Sequence, residues 1–272
     1  MQSIITSKLQ ELESWFKSFD SVIIAFSGGV DSTLLAKAAF MSLGKRAIAV
    51  TADSPSIPRS ELKNAQSLAK SIGIEHLVVN TNEMENPDYL KNSSNRCYYC
   101  KSELFSTLSD ISKEKNIKVI VDGTNLDDLS DFRPGLVAAD ENNILHPFVD
   151  LEFTKVDIRN ISKHLQLPTA DRPSAPCLSS RVAYGQPITL KTLSKIERAE
   201  ALIKELTGIE ILRVRDHNNI ARIEVGKNER SLLFDELIMD KIDQELKAIG
   251  FKYITLEPVS YTHLTLPTSD LV

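Results

Sequence analysis

The chain has 272 residues, of which 42% are hydrophobic and 25% are charged, and its formal net charge is −5. This composition is typical of a globular protein, and the length allows one large domain or two smaller ones. The negative balance excludes a general basic field, so no nucleic-acid partner is expected, although a local basic patch is compatible with it. The sequence shows neither a run of membrane-spanning length nor the apolar core of a signal peptide, and we expect a cytoplasmic protein without a membrane partner.

Strand and helix patterns alternate through the first 150 residues. The amphipathic segment 1–19 is typical of a packing helix. Gly44 and Gly73 occupy positions that commonly end helices. The alternation is βαβ repetition, which predicts an α/β fold with a doubly wound parallel sheet and a ligand beyond the carboxyl ends of its strands. The predicted strands are 22–26, 47–51, 76–80, 119–122 and 144–148, and the predicted helices are 32–43, 59–72, 101–115 and 154–165.

A loop rich in proline and serine, 167–177, marks a boundary in the chain. After it we predict a helix at 190–206, strands at 212–216 and 221–224, a helix at 228–249 and a strand at 253–256, in the order of a small α+β domain. The domains expected from the sequence are therefore 1–172, 173–258 and a tail at 259–272.

The tail 259–272 has no capping residues and no periodicity. It resembles the conceptual translation of a sequencing adapter, so we exclude it from fold reasoning and expect it to be dispensable. A natural floppy tail is the alternative interpretation.

The most informative local pattern is Ser27-Gly28-Gly29-Val30-Asp31-Ser32, which separates a buried strand from a helix start. Glycines let backbone N–H groups approach a phosphate, and a helix N-terminus favours negative charge. Ser27 and Ser32 add hydroxyl donors, while Asp31 is explained if it holds a Mg²⁺ shared with the phosphates. A bare Ser-Gly-Gly is more often an ordinary turn, and the spacing is not that of the lysine-containing phosphate loop of kinases.

This pattern resembles the pyrophosphate loop of the N-type ATP pyrophosphatases. Members of that superfamily cleave ATP between the α and β phosphates, activate an acceptor as its adenylate and release pyrophosphate. Asp122 and Gly123 follow a predicted strand and are expected at the same edge of the sheet. The ATP-binding residues that we expect are Ser27, Gly28, Gly29, Asp31, Ser32, Asp122 and Gly123.

Three cysteines, Cys97, Cys100 and Cys177, form a poor disulfide framework. The Cys-x-x-Cys pair is compatible with a redox dithiol or with half of a zinc site. With Cys177, three thiolates can hold a 4Fe–4S cluster and leave one iron open. Three unrelated buried thiols are the simplest interpretation, and spacing alone leaves these alternatives open.

Six segments run in the order of the motifs of the LarE family, and the chain resembles that family over roughly residues 5–257. This family comprises ATP-dependent sulfur transferases of nickel-pincer cofactor synthesis. The family continues after the last predicted strand with a Gly-Phe-Arg-Ser-Gly stretch that is missing from this chain, so the role of that stretch is not carried over. The segments are 27–32, 95–101, 122–125, 131–135, 176–181 and 214–217.

The resemblance implies a substrate and a sulfur source. The substrate is pyridinium-3,5-biscarboxylic acid mononucleotide, whose carboxylates are adenylated and converted to thiocarboxylates, and whose product later receives nickel for lactate racemase. Family members with one cysteine, matching Cys177, sacrifice its sulfur. Members that also have the Cys-x-x-Cys pair are thought to carry a 4Fe–4S cluster that binds hydrosulfide, and all three cysteines are present here. The resemblance also implies a homo-oligomer, with a hexamer as the candidate assembly.

Further candidate residues follow from the chemistry of this substrate. Arg181, Arg213 and Arg215 are candidates for its phosphate because arginine binds phosphate bidentately, although Arg213 and Arg215 also fit a solvated strand face. Glu197 or Glu200 can contact the substrate from the preceding helix, and the resemblance favours Glu200 as a catalytic residue. The acidic run at Asp127, Asp128 and Asp131 fits either a solvated loop or a second Mg²⁺ site.

Three other functional classes compete with this interpretation. A tRNA thiolation enzyme shares the loop and the cluster chemistry, but the acidic balance argues against it. An ammonia-using synthetase related to NAD or GMP synthetase would not need three thiols. A nucleotide-binding regulator or a zinc-stabilised scaffold would release no pyrophosphate.

Overall fold

The computed structural model describes residues 2–130 and 134–258. The tail 259–272 and Asp131 of the acidic run lie outside the described residues. The chain divides into two compact units, the first formed by described residues of Met1–Glu83 and Cys97–Ala175, the second by those of Met84–Arg96 and Pro176–Val272. The expected domain boundary at residue 172 stays a prediction.

The first unit contains four strands and most of the helices in the described ranges. Helix α4 and every element after α8 belong to the second unit. In chain order the elements are α1 (Gln2–Lys17), β1 (Val22–Ala25), α2 (Val30–Leu43), β2 (Ala47–Asp53), α3 (Arg59–Ile72), β3 (Glu75–Asn80), α4 (Pro87–Leu90), α5 (Arg96–Lys115), β4 (Val119–Val121), α6 (Pro134–Glu141), α7 (Pro147–Asp150), α8 (Lys155–His164), α9 (Leu190–Thr207), β5 (Leu212–His217), β6 (Ile220–Val225), α10 (Glu236–Ile249) and β7 (Tyr253–Leu256).

The first unit has a four-stranded parallel sheet with strand order β3-β2-β1-β4. Side chains of β1 alternate between two cores, because successive strand residues point to opposite faces. Ile24 packs with Leu12, Leu34 and Ile158 of α1, α2 and α8, whereas Ile23 packs on the other face with Phe105 and Leu108 of α5. The predicted doubly wound α/β fold is confirmed.

The predicted strand at 144–148 is wrong. Leu145 makes one isolated parallel bridge to Val121, and Pro147 then begins the short helix α7. Proline lacks a backbone N–H and fixes φ near a helical value, so it favours the first turn of a helix over a continued strand.

The second unit has a three-stranded sheet with strand order β5-β6-β7, antiparallel between β5 and β6 and parallel between β6 and β7. Asn218 and Asn219 both have positive φ in the turn that joins β5 to β6, a conformation that asparagine tolerates in tight hairpins. Helices α9 and α10 supply Ile203, Ile242 and Leu246 to its core. The predicted smaller α+β region is confirmed.

The predicted helix at 228–249 begins later than expected. A 3₁₀ turn occupies Arg230–Leu233, and Asp235 then caps α10 by accepting a hydrogen bond from the N–H of Ile238 at 3.0 Å. A capping aspartate fixes a helix start more firmly than periodicity does. Within the described ranges, every helix is too short or too polar to cross a membrane.

Candidate functional site

The parallel sheet of the first unit reverses its winding direction at β1. Strands β2 and β3 lie on one side of β1, whereas β4, which follows them in the chain, lies on the other. The loops after β1 and β4 therefore flank one crevice at the carboxyl end of the sheet, where open α/β sheets bind ligands. The residues expected to bind ATP belong to these two loops and to the first turn of α2.

Two glycines shape the loop between β1 and α2. Gly28 has a φ of +71°, which L side chains rarely adopt, and a Cβ there would lie 3.1 Å from the Cα of Ala65. Gly29 is the N-cap residue of α2, and no side chain in the described ranges caps the first N–H groups of this helix. The N-terminal N–H groups of α2 are therefore available to an anion, which the helix dipole also favours.

Ser27 and Ser32 tie this loop to the helix. Their Oγ atoms lie 3.1 Å apart, and the N–H of Ser27 donates to Ser32 Oγ at 3.2 Å. The N–H of Gly29 donates to Ser27 Oγ at 3.3 Å. The hydroxyls thus fix the loop against the first turn of α2.

Gly123 brings the loop after β4 against the start of α2. A Cβ at this position would lie 3.0 Å from both the Cβ of Asp31 and the N atom of Ser32. Real Cβ atoms rarely make such contacts, so glycine is required by close approach of the two loops. The sequence indicated Gly123 as a residue of the sheet edge, and the structure supplies this reason for it.

Asp31 forms an ion pair that the sequence did not indicate. Lys155 Nζ donates to Asp31 Oδ1 at 2.7 Å and also contacts Oδ2, and Asn125 Nδ2 donates to Oδ1 at 3.3 Å. Thr154 and Asp157 form a capping box that places Lys155 at the first position of α8. The capping box can be recognised in the sequence and indicates that Lys155 begins a helix. The contact of Lys155 with Asp31 depends on the fold.

Arg172 contacts the same loop from the segment that follows α8. Its Nη1 donates to the carbonyl of Gly28 at 3.3 Å, and its Nη2 donates to both carboxylate oxygens of Glu61 at 2.8 Å. Sequence reasoning treated Arg172 as a boundary residue. The structure shows that it joins the glycine loop to the first turn of α3.

Asp122 is a buried carboxylate at the end of β4. It contacts His146 Nδ1 at 2.7 Å and accepts from the N–H of Thr124 at 3.0 Å, while Lys101 Nζ lies 4.0 Å away. Burial raises the pKa of Asp122, but His146 and Lys101 outweigh it and lower the pKa to about 2. Burial lowers the pKa of His146, yet the hydrogen bond with Asp122 and the surrounding carboxylates raise it overall.

Two carboxylates of the acidic run accept hydrogen bonds from backbone N–H groups near the same loops. The N–H of Lys155 donates to Asp127 Oδ2, and the N–H of Asn125 donates to Asp128 Oδ2 at 3.1 Å. These bonds fix the turn that carries Asn125 and the start of α8. A second Mg²⁺ role for the run stays a prediction.

Cys97 and Cys100 begin α5 in the first unit, where Cys97 is exposed and Cys100 is half-buried. Through the neighbouring Lys101, this end of α5 contacts Asp122 and hence the loop after β4. Cys177 is half-buried in the second unit, and none of the three cysteines is in a disulfide. In the part of the chain that is described, no three His, Cys, Asp or Glu side chains are arranged to hold a metal ion. The iron–sulfur and magnesium assignments therefore stay predictions.

Arg181 and Glu200 form a buried ion pair in the second unit. Arg181 Nε donates to Glu200 Oε1 at 2.9 Å and Nη2 donates to Oε2 at 3.3 Å. Glu200 also accepts from the N–H of Val214 on β5 at 3.0 Å. The expected catalytic and phosphate-binding roles of these two residues are not tested by this geometry.

Arg213 and Arg215 are both buried and lie on the same side of β5. Arg215 Nε donates to Glu224 Oε1 at 2.6 Å, and Arg222 Nη2 donates to the same oxygen at 2.6 Å. Burial raises the pKa of Glu224, but the two arginines outweigh it and lower the pKa below its ordinary value. Glu224 thus pairs with arginines of both β5 and β6, and the phosphate-binding roles of Arg213 and Arg215 stay predictions.

The segment before Cys97 is bound into the second unit by buried polar groups. Arg96 Nη1 donates to the carbonyl of Ser179 at 2.9 Å and to Asn92 Oδ1 at 2.6 Å. Asn92 Nδ2 in turn contacts the carbonyls of Val182 and Ala183 at 3.2 and 2.8 Å. Arg96 immediately precedes Cys97, and Ser179 lies two residues after Cys177.

Comparison with known proteins agrees with this fold and loop geometry. The family model for NAD synthase matches residues 2–99, which contain β1, the glycine loop and α2. The chain belongs to the N-type ATP pyrophosphatase family, a family of NAD synthase-like enzymes that use ATP.

Three relatives are similar to the chain in sequence. It is 32% identical over 256 residues to the pyridinium-3,5-bisthiocarboxylic acid mononucleotide synthase of Lactiplantibacillus plantarum. This alignment covers 93% of this chain and 91% of that protein. It is 43% identical over 258 residues to an uncharacterized protein of Synechocystis, which covers 95% and 96% of the two chains. It is 28% identical over 219 residues to the GMP synthase of Pyrobaculum aerophilum, covering 74% of this chain and 43% of that enzyme.

Proposed function

We propose that this protein is an ATP-dependent sulfur transferase that converts pyridinium-3,5-biscarboxylic acid mononucleotide to its bisthiocarboxylic acid. The observation that carries the proposal is the 32% identity, over nearly the full length of both chains, to a pyridinium-3,5-bisthiocarboxylic acid mononucleotide synthase. The similarity to GMP synthase covers less than half of that enzyme and supports the ATP-binding region more than any amidotransferase activity.

In the first step the carboxylate of the substrate is adenylated. The loop with Gly28 and Gly29 would bind the pyrophosphate portion of ATP through backbone N–H groups, and Asp31 offers the carboxylate ligand that Mg²⁺ prefers. In the described structure Lys155 neutralises Asp31. With Mg²⁺ bound, Asp31 would serve as its ligand, and the Lys155 ammonium would then be free to stabilise charge that develops on the phosphates.

In the second step sulfur replaces the adenylate. A free carboxylate is a poor acyl donor because its leaving group would be oxide, whereas AMP leaves readily. A sulfur nucleophile attacks the acyl carbon, the bond to AMP breaks, and the thiocarboxylate forms. Thiolate sulfur suits this step because it is nucleophilic at neutral pH.

The cysteines provide two possible sources of that sulfur. The three thiols fit a 4Fe–4S cluster in kind and number, and such a cluster, when bound to Cys97, Cys100 and Cys177, would offer an open iron for exogenous sulfide. In the alternative form the Cys177 thiolate would displace AMP to form a thioester, and loss of the Cys177 Cα proton with cleavage of its Cβ–Sγ bond would release the thiocarboxylate and leave dehydroalanine.

The phosphate of the substrate would bind near β5. Arg213 and Arg215 face one side of this strand, and Arg222 shares the neutralising Glu224 with Arg215. Arginine guanidinium groups can bind a phosphate bidentately, which suits them to the phosphate of a mononucleotide. This supports the assignment of Arg213 and Arg215 to the mononucleotide rather than to ATP.

The proposal is tested by incubating anaerobically purified protein with ATP, Mg²⁺, sulfide and the mononucleotide. We expect pyrophosphate release that depends on the mononucleotide and a product whose mass shows replacement of carboxylate oxygen by sulfur. Pyrophosphate release that depends instead on ammonia, tRNA or no acceptor at all would refute the proposal.

Iron and sulfide analysis of the same preparation separates the two sulfur sources. Stoichiometric iron and sulfide with an intact Cys177 after turnover support the cluster. A protein without iron that stops after one round, with Cys177 converted to dehydroalanine, supports the sacrificial form.

A further inference from the structure

Residues Pro176–Arg181, called here the Cys177 turn, are held by an unusual number of hydrogen bonds to one carbonyl group. The carbonyl oxygen of Cys177 accepts from the N–H of Ser180 at 3.1 Å, from Ser180 Oγ at 2.7 Å and from Arg181 Nη1 at 2.7 Å. Arg181 Nη1 also donates to the carbonyl of Pro176. The backbone that carries the Cys177 thiol is therefore fixed mainly by the side chains of Ser180 and Arg181.

Arg181 is fixed in turn by Glu200. The Arg181 side chain is 2% exposed, and its Nε and Nη2 atoms donate to the two oxygens of the Glu200 carboxylate. Glu200 lies on α9 and accepts a further hydrogen bond from the N–H of Val214 on β5. The Cys177 turn is thus joined through one guanidinium to a helix and a strand of the same unit.

A second arginine contacts the same turn. Arg215 Nη1 donates to the carbonyl of Ser180 at 2.8 Å, while its Nε is paired with Glu224. Arg181 and Arg215 therefore differ in their surroundings. All three nitrogens of the buried Arg181 guanidinium bind groups of the protein. Arg215 instead lies on β5, the strand that also carries Arg213.

We propose that Arg181 and Glu200 are positioning residues that hold Cys177 in place for sulfur transfer. The planar guanidinium suits this role because one face of its fork binds a carboxylate and the other end binds two backbone carbonyls. A buried guanidinium is retained only when its charge is paired, which is what Glu200 provides. The proposal rests on the proposed function, and it assigns Arg181 to Cys177 rather than to the substrate phosphate.

The test compares the alkylation rates of individual cysteines in the purified metal-free protein. In Arg181→Lys and Glu200→Gln variants we expect iodoacetamide to modify Cys177 at least about fivefold faster or slower than in the parent protein, because the turn loses its anchor. Cys97 and Cys100, read from their own peptides, should stay within about twofold. Amide exchange at Ser180, whose N–H bonds to Cys177, should accelerate in the same variants.

Matched variants on the same helix control for general effects. Arg198 and Glu205 are exposed on α9, so Arg198→Lys and Glu205→Gln should leave Cys177 alkylation and Ser180 exchange at parent values. Thermal unfolding identifies variants that fail to fold, and the Arg181→Lys variant retains the positive charge beside Glu200 to limit that outcome. Parent rates of alkylation and exchange in folded Arg181→Lys and Glu200→Gln proteins would overturn the proposal.

Kinetics separate positioning from phosphate binding. We expect Arg181→Lys to lower kcat for thiocarboxylate formation by about tenfold or more while KM for the mononucleotide changes by less than about threefold. A large rise in KM at unchanged kcat would assign Arg181 to the substrate instead. Because alkylation and exchange need no turnover, they decide the positioning role even if the protein proves to act on another substrate.

Discussion

At the scale of single residues, the charge of Asp31 is balanced by a lysine that is distant in the sequence. A carboxylate among anion-binding N–H groups would repel phosphate, and in the structure its charge is neutralised by Lys155. The same carboxylate would be a suitable ligand for the Mg²⁺ that the proposed function requires. The ion pair thus offsets the negative charge of Asp31 at the start of α2.

We expect Asp31→Ala to lower pyrophosphate release by at least about a hundredfold, because under the proposed function Mg²⁺ would lose a protein ligand near the developing charge. The fold should be retained, since Lys155 is partly exposed and can be solvated. Pyrophosphate release and thermal unfolding are measured together, with Asp110→Ala on the exposed face of α5 as the control. Normal release by a folded Asp31→Ala protein would contradict the loop assignment.

Arg215→Ala should raise KM for the mononucleotide by roughly 30- to 1,000-fold, which corresponds to about 2–4 kcal/mol for a lost charged contact. Glu224 keeps Arg222 as a partner in this variant, so an uncompensated buried charge is avoided. Arg213→Ala should act in the same direction. Steady-state kinetics with each substrate varied in turn give the answer, and equal effects on the KM values of ATP and the mononucleotide would show a structural role.

His146→Gln should destabilise the protein more at acidic than at alkaline pH. The pKa of His146 is raised in the folded state, so its stabilising effect is complete below its unfolded pKa of about 6.5 and is lost as pH rises through the folded value. Loss of a hydrogen bond to a charged group costs about 1.5–3 kcal/mol. Urea unfolding at about pH 5.5 and about pH 8.5 measures the difference, and an identical loss at both would exclude this linkage.

Asp122 sets the acidic end of the pH range in which both members of the Asp122–His146 pair are charged. Its pKa is lowered to about 2, so the stability it contributes is present above the unfolded value of about 3.9 and disappears only as pH falls toward 2. The pair is therefore fully charged in mildly acidic solution. The pair joins the end of β4 to the residue that precedes α7.

At the scale of elements, the crevice depends on how closely β4 approaches the start of α2. Gly123 permits that approach, because a side chain there would meet the backbone of α2 at 3.0 Å. We expect Gly123→Ala to destabilise the protein by about 1–3 kcal/mol, the usual cost of overpacking, and to raise KM for ATP. Thermal unfolding and pyrophosphate release report the two effects.

Gly208→Ala is the matched control for that substitution. Gly208 ends α9 with a φ of +74°, and a Cβ there would meet no other atom within 4 Å. It should cost stability through backbone strain while leaving KM for ATP at its parent value. A Gly123→Ala protein that is less stable but keeps the parent KM for ATP would show that this close contact is not needed for ATP binding.

At the scale of the whole molecule, the two units divide the expected chemistry between them. The glycine loop, Asp31, Cys97 and Cys100 belong to the first unit, whereas Cys177 and the arginines of β5 belong to the second. The segment Met84–Arg96 belongs to the second unit and leads directly into Cys97. The residues expected for carboxylate activation and those expected for phosphate binding are thus encoded in different parts of the chain.

A chain shortened to end at Pro258 should unfold within about 2 °C of the full chain and retain its pyrophosphate release. Residues 259–272 lack caps and periodicity, and the last described strand, β7, already pairs with β6 along Tyr253–Leu256. Thermal unfolding of both chains at equal concentration tests this. A drop of several degrees would show that Leu264 or Leu266 contributes to the core.

Local patterns in the sequence were sufficient for the parallel sheet, the glycine loop and most element boundaries. Strand and helix periods, glycine turns and the Ser-Gly-Gly-Val-Asp-Ser order all act over a few residues, so they can be read without knowing the fold. The helix at Arg59–Ile72 and the strand at Tyr253–Leu256 were predicted at their observed bounds. The strand at 144–148 failed because Pro147 begins a helix within an apolar run.

Tertiary structure alone decided which distant residues act together. Lys155 neutralises a carboxylate 124 residues away, His146 pairs with Asp122, and Arg181 holds the Cys177 carbonyl while Glu200 holds Arg181. These pairings depend on which strand ends and helix starts the topology brings side by side, and no local pattern encodes that choice. The sequence therefore determined the kind of protein and its candidate chemistry, while the fold determined the charge balance of the loop and the anchoring of Cys177.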